Sequence, residues 1–196
     1  GSFGLMFHCL CHRKLFKAPY QKPLNGYITW IICPLFGHAP EGYFSHHMGM
    51  HHIENNMPDD TSSTMGYQRD SLRGFLAYFF RFIFRGVIDT IRYLFARKRK
   101  KLYQRLTIGE YVYLLFCIGM CFVNLKATLV VFIVPLLFAR LVMMLGNWTQ
   151  HAFIDAVEPE NLYRSSINCI NTVYNKTCWN DGYHIIHHLR PGMHYT

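Results

Sequence analysis

Acidic side chains are scarce in this sequence. Eleven Asp and Glu stand against 20 Lys and Arg among 196 residues, a formal charge of +9 at pH 7. There is no C-x-x-C pair, which removes a dithiol redox motif and the usual paired-cysteine zinc sites. There is no internal repeat and no low-complexity tract, so neither a solenoid nor a flexible linker divides the chain. The given stretch has no basic segment leading a short apolar run and a small-residue cleavage site, so no secretory leader is expected within it. The seven cysteines, Cys9, Cys11, Cys33, Cys117, Cys121, Cys169 and Cys178, are odd in number. Two of them fall inside an apolar helix, and the set reads as reduced and structural, as suits a cytosolic face.

What is abundant is apolar and aromatic: 51% of residues are hydrophobic, with 16 Phe, 13 Tyr and 3 Trp. The length fits one domain, 1–196. The chain opens at Gly1 and reaches a histidine cluster by position 8, so upstream elements are expected to be missing. Apolar runs flanked by basic clusters fit a membrane protein whose positive face meets anionic lipid. Nucleic acid is not expected as a partner, because the basic residues border apolar segments and form no separate patch.

Residues 27–37 are apolar but too short to cross a bilayer, which takes roughly 20 residues. They read as re-entrant or interfacial, with a break at Pro34. Residues 70–96 have helical periodicity, but Arg73, Arg81, Arg85, Asp89 and Arg92 exclude a simple span. An amphipathic helix in the interface, its arginines reaching for headgroups, fits. Pro58 to Ser63 reads as a turn, with Asp60 to Ser63 as helix N-caps. Two spans are predicted within 107–146, Tyr111–Val123 and Ala127–Leu145, joined by Asn124-Leu125-Lys126 as a transmembrane hairpin. Two crossings return the chain to its starting side, and the run Arg97 to Lys101 places that side in the cytosol. The fold class expected is an all-α integral membrane protein with a cytosolic helical cap.

Nine of the twelve histidines fall into four clusters at helical spacing: His8/His12, His47/His51/His52, His151 and His184/His187/His188. Spacings of i, i+3 and i+4 place imidazoles on one helix face. Cys9 and Cys11 invite a zinc reading, but four ligands within five residues cannot easily surround one tetrahedral ion. Nine imidazoles exceed the needs of one zinc. With a water held by Asn147, four residues before His151, they suit two ions of five- or six-coordinate type. Iron fits when the chemistry is oxygen activation. Each ligand ring needs an acceptor on its other nitrogen. Glu54, Asp155 and Asp181 are the candidates, and Asn55 also carries a usable acceptor. His38, His46 and His194 are left outside the ligand set.

These boxes stand in the order H-x3-H, H-x3-HH, N-x3-H and H-x2-HH. In that order and spacing the chain resembles the membrane fatty acid desaturase superfamily over nearly its whole length. The resemblance implies a di-iron centre taking O2 as co-substrate, held by helices in a cytosolic cap above membrane hairpins. It implies removal of two hydrogens from an acyl C–C bond of a long-chain lipid in the endoplasmic reticulum or a plastid membrane. The family has a transmembrane hairpin before its first box, and this sequence starts at that box. No His-Pro-Gly-Gly heme motif is present, so electrons are expected from a separate cytochrome b5 or ferredoxin, or from a missing region, with no heme in this chain. Tyr43, Phe44, Trp148, Phe153 and Tyr183 are candidate linings of an acyl tunnel. The alternatives are a di-iron membrane hydroxylase of an alkane, sterol or carotenoid, and a metal-binding membrane protein without catalysis. Asn147 and Asn175 match the glycosylation sequon, and on a cytosolic face both stay unmodified.

Overall fold

The computed structural model describes residues 2–193, apart from the side chain of Tyr174. Among the described residues every regular element is helical. The first is α1 (Ser2–His12), which carries the first histidine pair. Next come α2 (Gln21–Tyr27), a π-helical turn (Ile28–Ile32) and α3 (Cys33–Leu35). The helix therefore continues through Pro34, where a break was expected. The wider turn just before the proline absorbs the missing N–H and the ring. The reversal comes instead at Gly37, whose φ of +83° belongs to glycine. A side chain there would also strike the Pro135 carbonyl.

The second box spans α4 (Gly42–His46), a π-helical turn (His47–His51) and α5 (His52–Glu54). No helix starts at Asp60 to Ser63, so the N-cap expectation there fails. The next helix is α6 (Leu72–Ala96), capped by Ser71, whose side chain accepts from the Gly74 N–H at 3.2 Å. On α6 the residues Leu72, Leu76, Phe80, Phe84 and Ile88 are exposed, while Tyr78, Gly86, Thr90 and Leu94 are buried. That is the two-faced helix the periodicity predicts. Arg81, Arg85 and Arg92 surround Asp89 at 3.5–3.9 Å.

Then follow α7 (Lys100–Thr128), a π-helical turn (Leu129–Ile133) and α8 (Val134–His151). Pro135 again follows a π turn by two residues, the device seen at Pro34. The stretch Lys100–His151 is long and apolar enough to cross a membrane. Its helices reach well beyond the predicted 13- and 19-residue spans, because the polar residues from Lys100 to Glu110 also continue the helix. Asn124 breaks the helical backbone with φ −158° and ψ 100°. Contacts join the segments on either side of it. The Tyr113 hydroxyl donates to the Phe132 carbonyl at 3.1 Å, and Arg140 meets Glu110 at 3.3 Å. Ala39, Tyr113, Cys117 and Phe132 form one apolar cluster. Outward-facing Phe122, Val123, Val130 and Val134 remain exposed.

A second cluster (Tyr78, Met144, Trp148 and Ala152, with Tyr67, Phe75 and Phe82 against it) packs α6 on α8. It fixes the end of α8 that delivers His151. The remaining elements are α9 (Val173–Thr177) and α10 (His184–Leu189), the latter carrying the last box. All seven cysteines are free.

Candidate metal centre

The nine histidines of the four boxes come together as two adjacent groups. His8, His12, His47, His52 and His187 form one, and His51, His151, His184 and His188 the other, with each group's candidate ligand atoms within 4.8 Å of one another. The rings of His52 and His188, one from each group, lie 4.7 Å apart.

The sorting of the boxes follows from backbone geometry. In α1, His8 and His12 share a face and enter the five-membered group together. In an ordinary helix His47 and His52 would point about 140° apart. Here the His52 N–H bonds the His47 carbonyl, an i→i+5 turn. It brings both rings to one side, with their Nε2 atoms 3.0 Å apart. His51 is thereby sent to the other group. In α10, His184 and His188 share a group and His187 turns to the other, so the three rings do not act as one face.

The ring nitrogens are oriented from behind. His51 Nδ1 donates to Asp60 at 2.7 Å and His8 Nδ1 to Asp181 at 2.8 Å. His188 Nδ1 donates to the Asn55 side-chain oxygen at 2.7 Å, and His151 Nδ1 to the Ser165 carbonyl at 2.9 Å. A proton held on Nδ1 leaves Nε2 as a bare lone pair. The Nε2 atoms of these and the other box histidines face each other: His8–His187, His12–His47 and His52–His187 at 2.9 Å, His151–His184 at 3.0 Å, and His184–His188 at 3.1 Å. Lone pairs aimed at lone pairs repel unless a cation lies between them. Nitrogens about 2.1 Å from one ion sit about 3.0 Å apart at right angles and about 3.4 Å apart in a tetrahedron. The observed separations match the right-angled arrangement of five- or six-coordinate ions, and the donor set fits two of them.

Burial keeps the rings of His12, His47, His52, His151, His184, His187 and His188 neutral and ready to ligate. It lowers His12 and His151 to about 3 and His52 to about 2, with neighbouring histidines adding to the effect. His47, His184, His187 and His188 fall well below the ordinary value for the same reason. Asp60 is fully buried. Burial alone would raise its carboxyl, but His51 beside it and the Ser62 hydroxyl hold it below the usual carboxylate range. One Asp60 oxygen takes the His51 ring and the Asn56 N–H, and the other takes the Ser62 N–H and hydroxyl.

Of the three carboxylates expected behind the rings, only Asp181 touches one. Glu54 instead accepts from Tyr93 and pairs with Arg97 at 3.2 Å. Asp155 sits at the surface with Arg164 at 3.1 Å. Sequence reasoning missed Asp60, whose place in a Pro-Asp-Asp-Thr-Ser-Ser run has the look of a cap. Asn147 spends both amide hydrogens, on the Ser62 carbonyl at 2.9 Å and the Tyr78 hydroxyl at 2.8 Å. Only its carbonyl oxygen remains to serve a water. Ser62 thus links Asn147 to the Asp60–His51 pair. His38 is buried and His46 half-buried, both outside the two groups, and His194 lies outside the described residues. Cys9 and Cys11 belong to neither group, and burial raises both thiols, Cys9 to about 11.

A cavity of about 500 Å³ runs along α8 to these rings. Phe3, Leu5, Phe36, Phe138 and Val142 form its apolar walls, and His8, His47, His51 and His184 its inner end. Of the five tunnel candidates only Tyr43 lines it. Trp148 is in the α6–α8 core, and Tyr183 borders a second cavity of about 550 Å³ that meets His8, His12 and His187 from the other side.

No curated protein and no solved structure matches the chain. The family model described as fatty acid desaturase matches residues 1–196. With two groups of imidazoles at the inner end of an apolar cavity, and a family match along its entire length, the chain belongs to the fatty acid desaturase family.

Proposed function

We propose that this protein is an O2-dependent di-iron desaturase of a long-chain acyl lipid. The observation that carries the reading is the apolar cavity ending on both histidine groups, since an alkyl chain laid in it reaches each of them. In this reading the nine histidines hold two irons, His8, His12, His47, His52 and His187 one of them and His51, His151, His184 and His188 the other. Irons bound there supply the oxidising power to remove two hydrogens from an unactivated C–C bond. The overall change is RCH2CH2R′ + O2 + 2e− + 2H+ to RCH=CHR′ and two waters. Asp60, Asp181, Asn55 and the Ser165 carbonyl hold the rings in the Nδ1–H tautomer. Asn147 offers its carbonyl oxygen to a water at the second group. The apolar walls align the chain and keep bulk water from it.

The electrons come from a cytochrome b5 or ferredoxin. The two helical arms around Asn124 form a transmembrane hairpin, their exposed apolar residues facing lipid. The histidine groups lie on the cytosolic or stromal side of an endoplasmic reticulum or plastid membrane, beside the run Arg97 to Lys101. The test is expression in a desaturase-deficient host with lipid profiling by mass spectrometry. A new double bond without added oxygen, lost in His187→Ala at equal protein level, is the expected result. A hydroxylated product would assign the chain to the hydroxylase reading, and an unchanged profile with full metal content to the non-catalytic one.

A further inference from the structure

We propose that Gly146 is a length gate for the acyl chain. The inference deepens the desaturase reading and rests on it for the kind of ligand. Gly146 lies on α8 and lines the apolar cavity. A Cβ built on it meets no atom within 4 Å, so the space a side chain would occupy belongs to the cavity. The other glycine lining the cavity, Gly4 on α1, differs: its Cβ would already touch the His38 ring at 3.4 Å. The bare wall is therefore on the α8 side.

Position along the helix gives this gap a consequence. At 1.5 Å per residue, Gly146 stands about 7 Å along the axis from His151, and Phe138 a further 12 Å or so away. A branched side chain at 146 would project between the histidine end of the cavity and the stretch walled by Val142 and Phe138. The arm of the ligand lying along α8 would then be confined to the short inner part. Chains that need the outer stretch lose their place, and chains that end before it keep theirs. Glycine inside a helix stabilises it less than alanine or leucine does, so substitution here favours the helix itself.

The test uses the full chain in detergent micelles, with photo-crosslinking of a diazirine-bearing palmitic acid competed by dodecanoate or stearate. Gly146→Leu is expected to weaken stearate relative to dodecanoate by roughly tenfold or more, the scale on which an apolar pocket reads a methylene or two. Gly146→Ala should shift the ratio in the same direction and by less. Gly119→Leu is the control: its added Cβ also meets nothing within 4 Å, but it does not line the cavity. Its ratio should stay at that of the parent. Metal content and melting temperature, measured on each variant, identify any loss of fold, in which case the graded Gly146→Ala result decides. An unchanged stearate-to-dodecanoate ratio in both Gly146 variants, or an equal shift in Gly119→Leu, overturns the gate. The readout is binding. A parent that binds these chains selectively yet forms no double bond would refute the desaturase reading and leave the gate standing. Desaturation that persists with an unchanged ratio would do the reverse.

Discussion

Replacing Asp60 by Asn keeps the shape of the side chain and removes its charge, so it isolates what the carboxylate does. Asp60 accepts four hydrogens, two on each oxygen, from His51, Asn56 and the Ser62 amide and hydroxyl. An amide can accept at one oxygen only, and its NH2 would point hydrogens at two of those donors. At least two buried hydrogen bonds to a charged acceptor are lost, each worth about 1.5–3 kcal/mol. If the amide nitrogen faces His51, the ring must also change tautomer, which turns N–H rather than lone pair toward the second histidine group. Loss of such a supporting partner typically lowers metal affinity or activity by about 10–100-fold. The expected outcome for Asp60→Asn is therefore a protein less stable by about 3–6 kcal/mol that retains the ion of the five-histidine group and loses the other. Metal analysis after dialysis against graded chelator, read with a denaturant titration, measures both. Wild-type affinity at both sites would refute the assignment of Asp60 as the group orienting His51.

Asp181→Asn should weaken the ion of the five-histidine group by a similar factor through His8, whereas Asp155→Asn should leave both ions and the melting temperature unchanged; chelator titration of the two variants side by side decides. Trp148→Ala should cost about 3–5 kcal/mol by opening a hole between α6 and α8, seen as a lower denaturation midpoint. The metal-free protein should lose stability on acidification. Histidines 12, 52 and 151 take up protons near 6.5 when unfolded but only near 2–3 when folded, so the unfolded state binds more protons from about pH 6.5 down to about 3. Melting curves of the apo-protein at pH 7.5 and 5 should show a fall, and an equal melting temperature would contradict the burial of these rings as neutral groups.

The nine histidines could be picked out because imidazoles at i, i+3 and i+4 are conspicuous against a sequence otherwise poor in patterned polar residues. Their division into two groups was not legible. It depends on a π-helical turn at His47–His51, which alters which ring follows which, and nothing in the composition of His-Met-Gly-Met-His announces it. The orienting groups were harder still. Glu54 and Asn55 are neighbours, yet only Asn55 reaches a histidine, because its backbone turns left-handed (φ 46°) and swings its side chain toward His188. Asp60 is brought to His51 by a fold of the loop between α5 and α6, and short-range sequence rules read it as a cap. The helical arms were visible from hydropathy, but their length was underestimated, since polar residues at Lys100 to Glu110 continue a helix that hydropathy alone would start later.

The desaturase reading requires these imidazoles to hold two separate irons. Crystals or oriented particles of the iron-loaded protein, examined by anomalous scattering at the iron edge, test it directly. Two peaks per chain are expected, one enclosed by His8, His12, His47, His52 and His187 and one by His51, His151, His184 and His188. A single peak, or two peaks elsewhere in the chain, would contradict that reading.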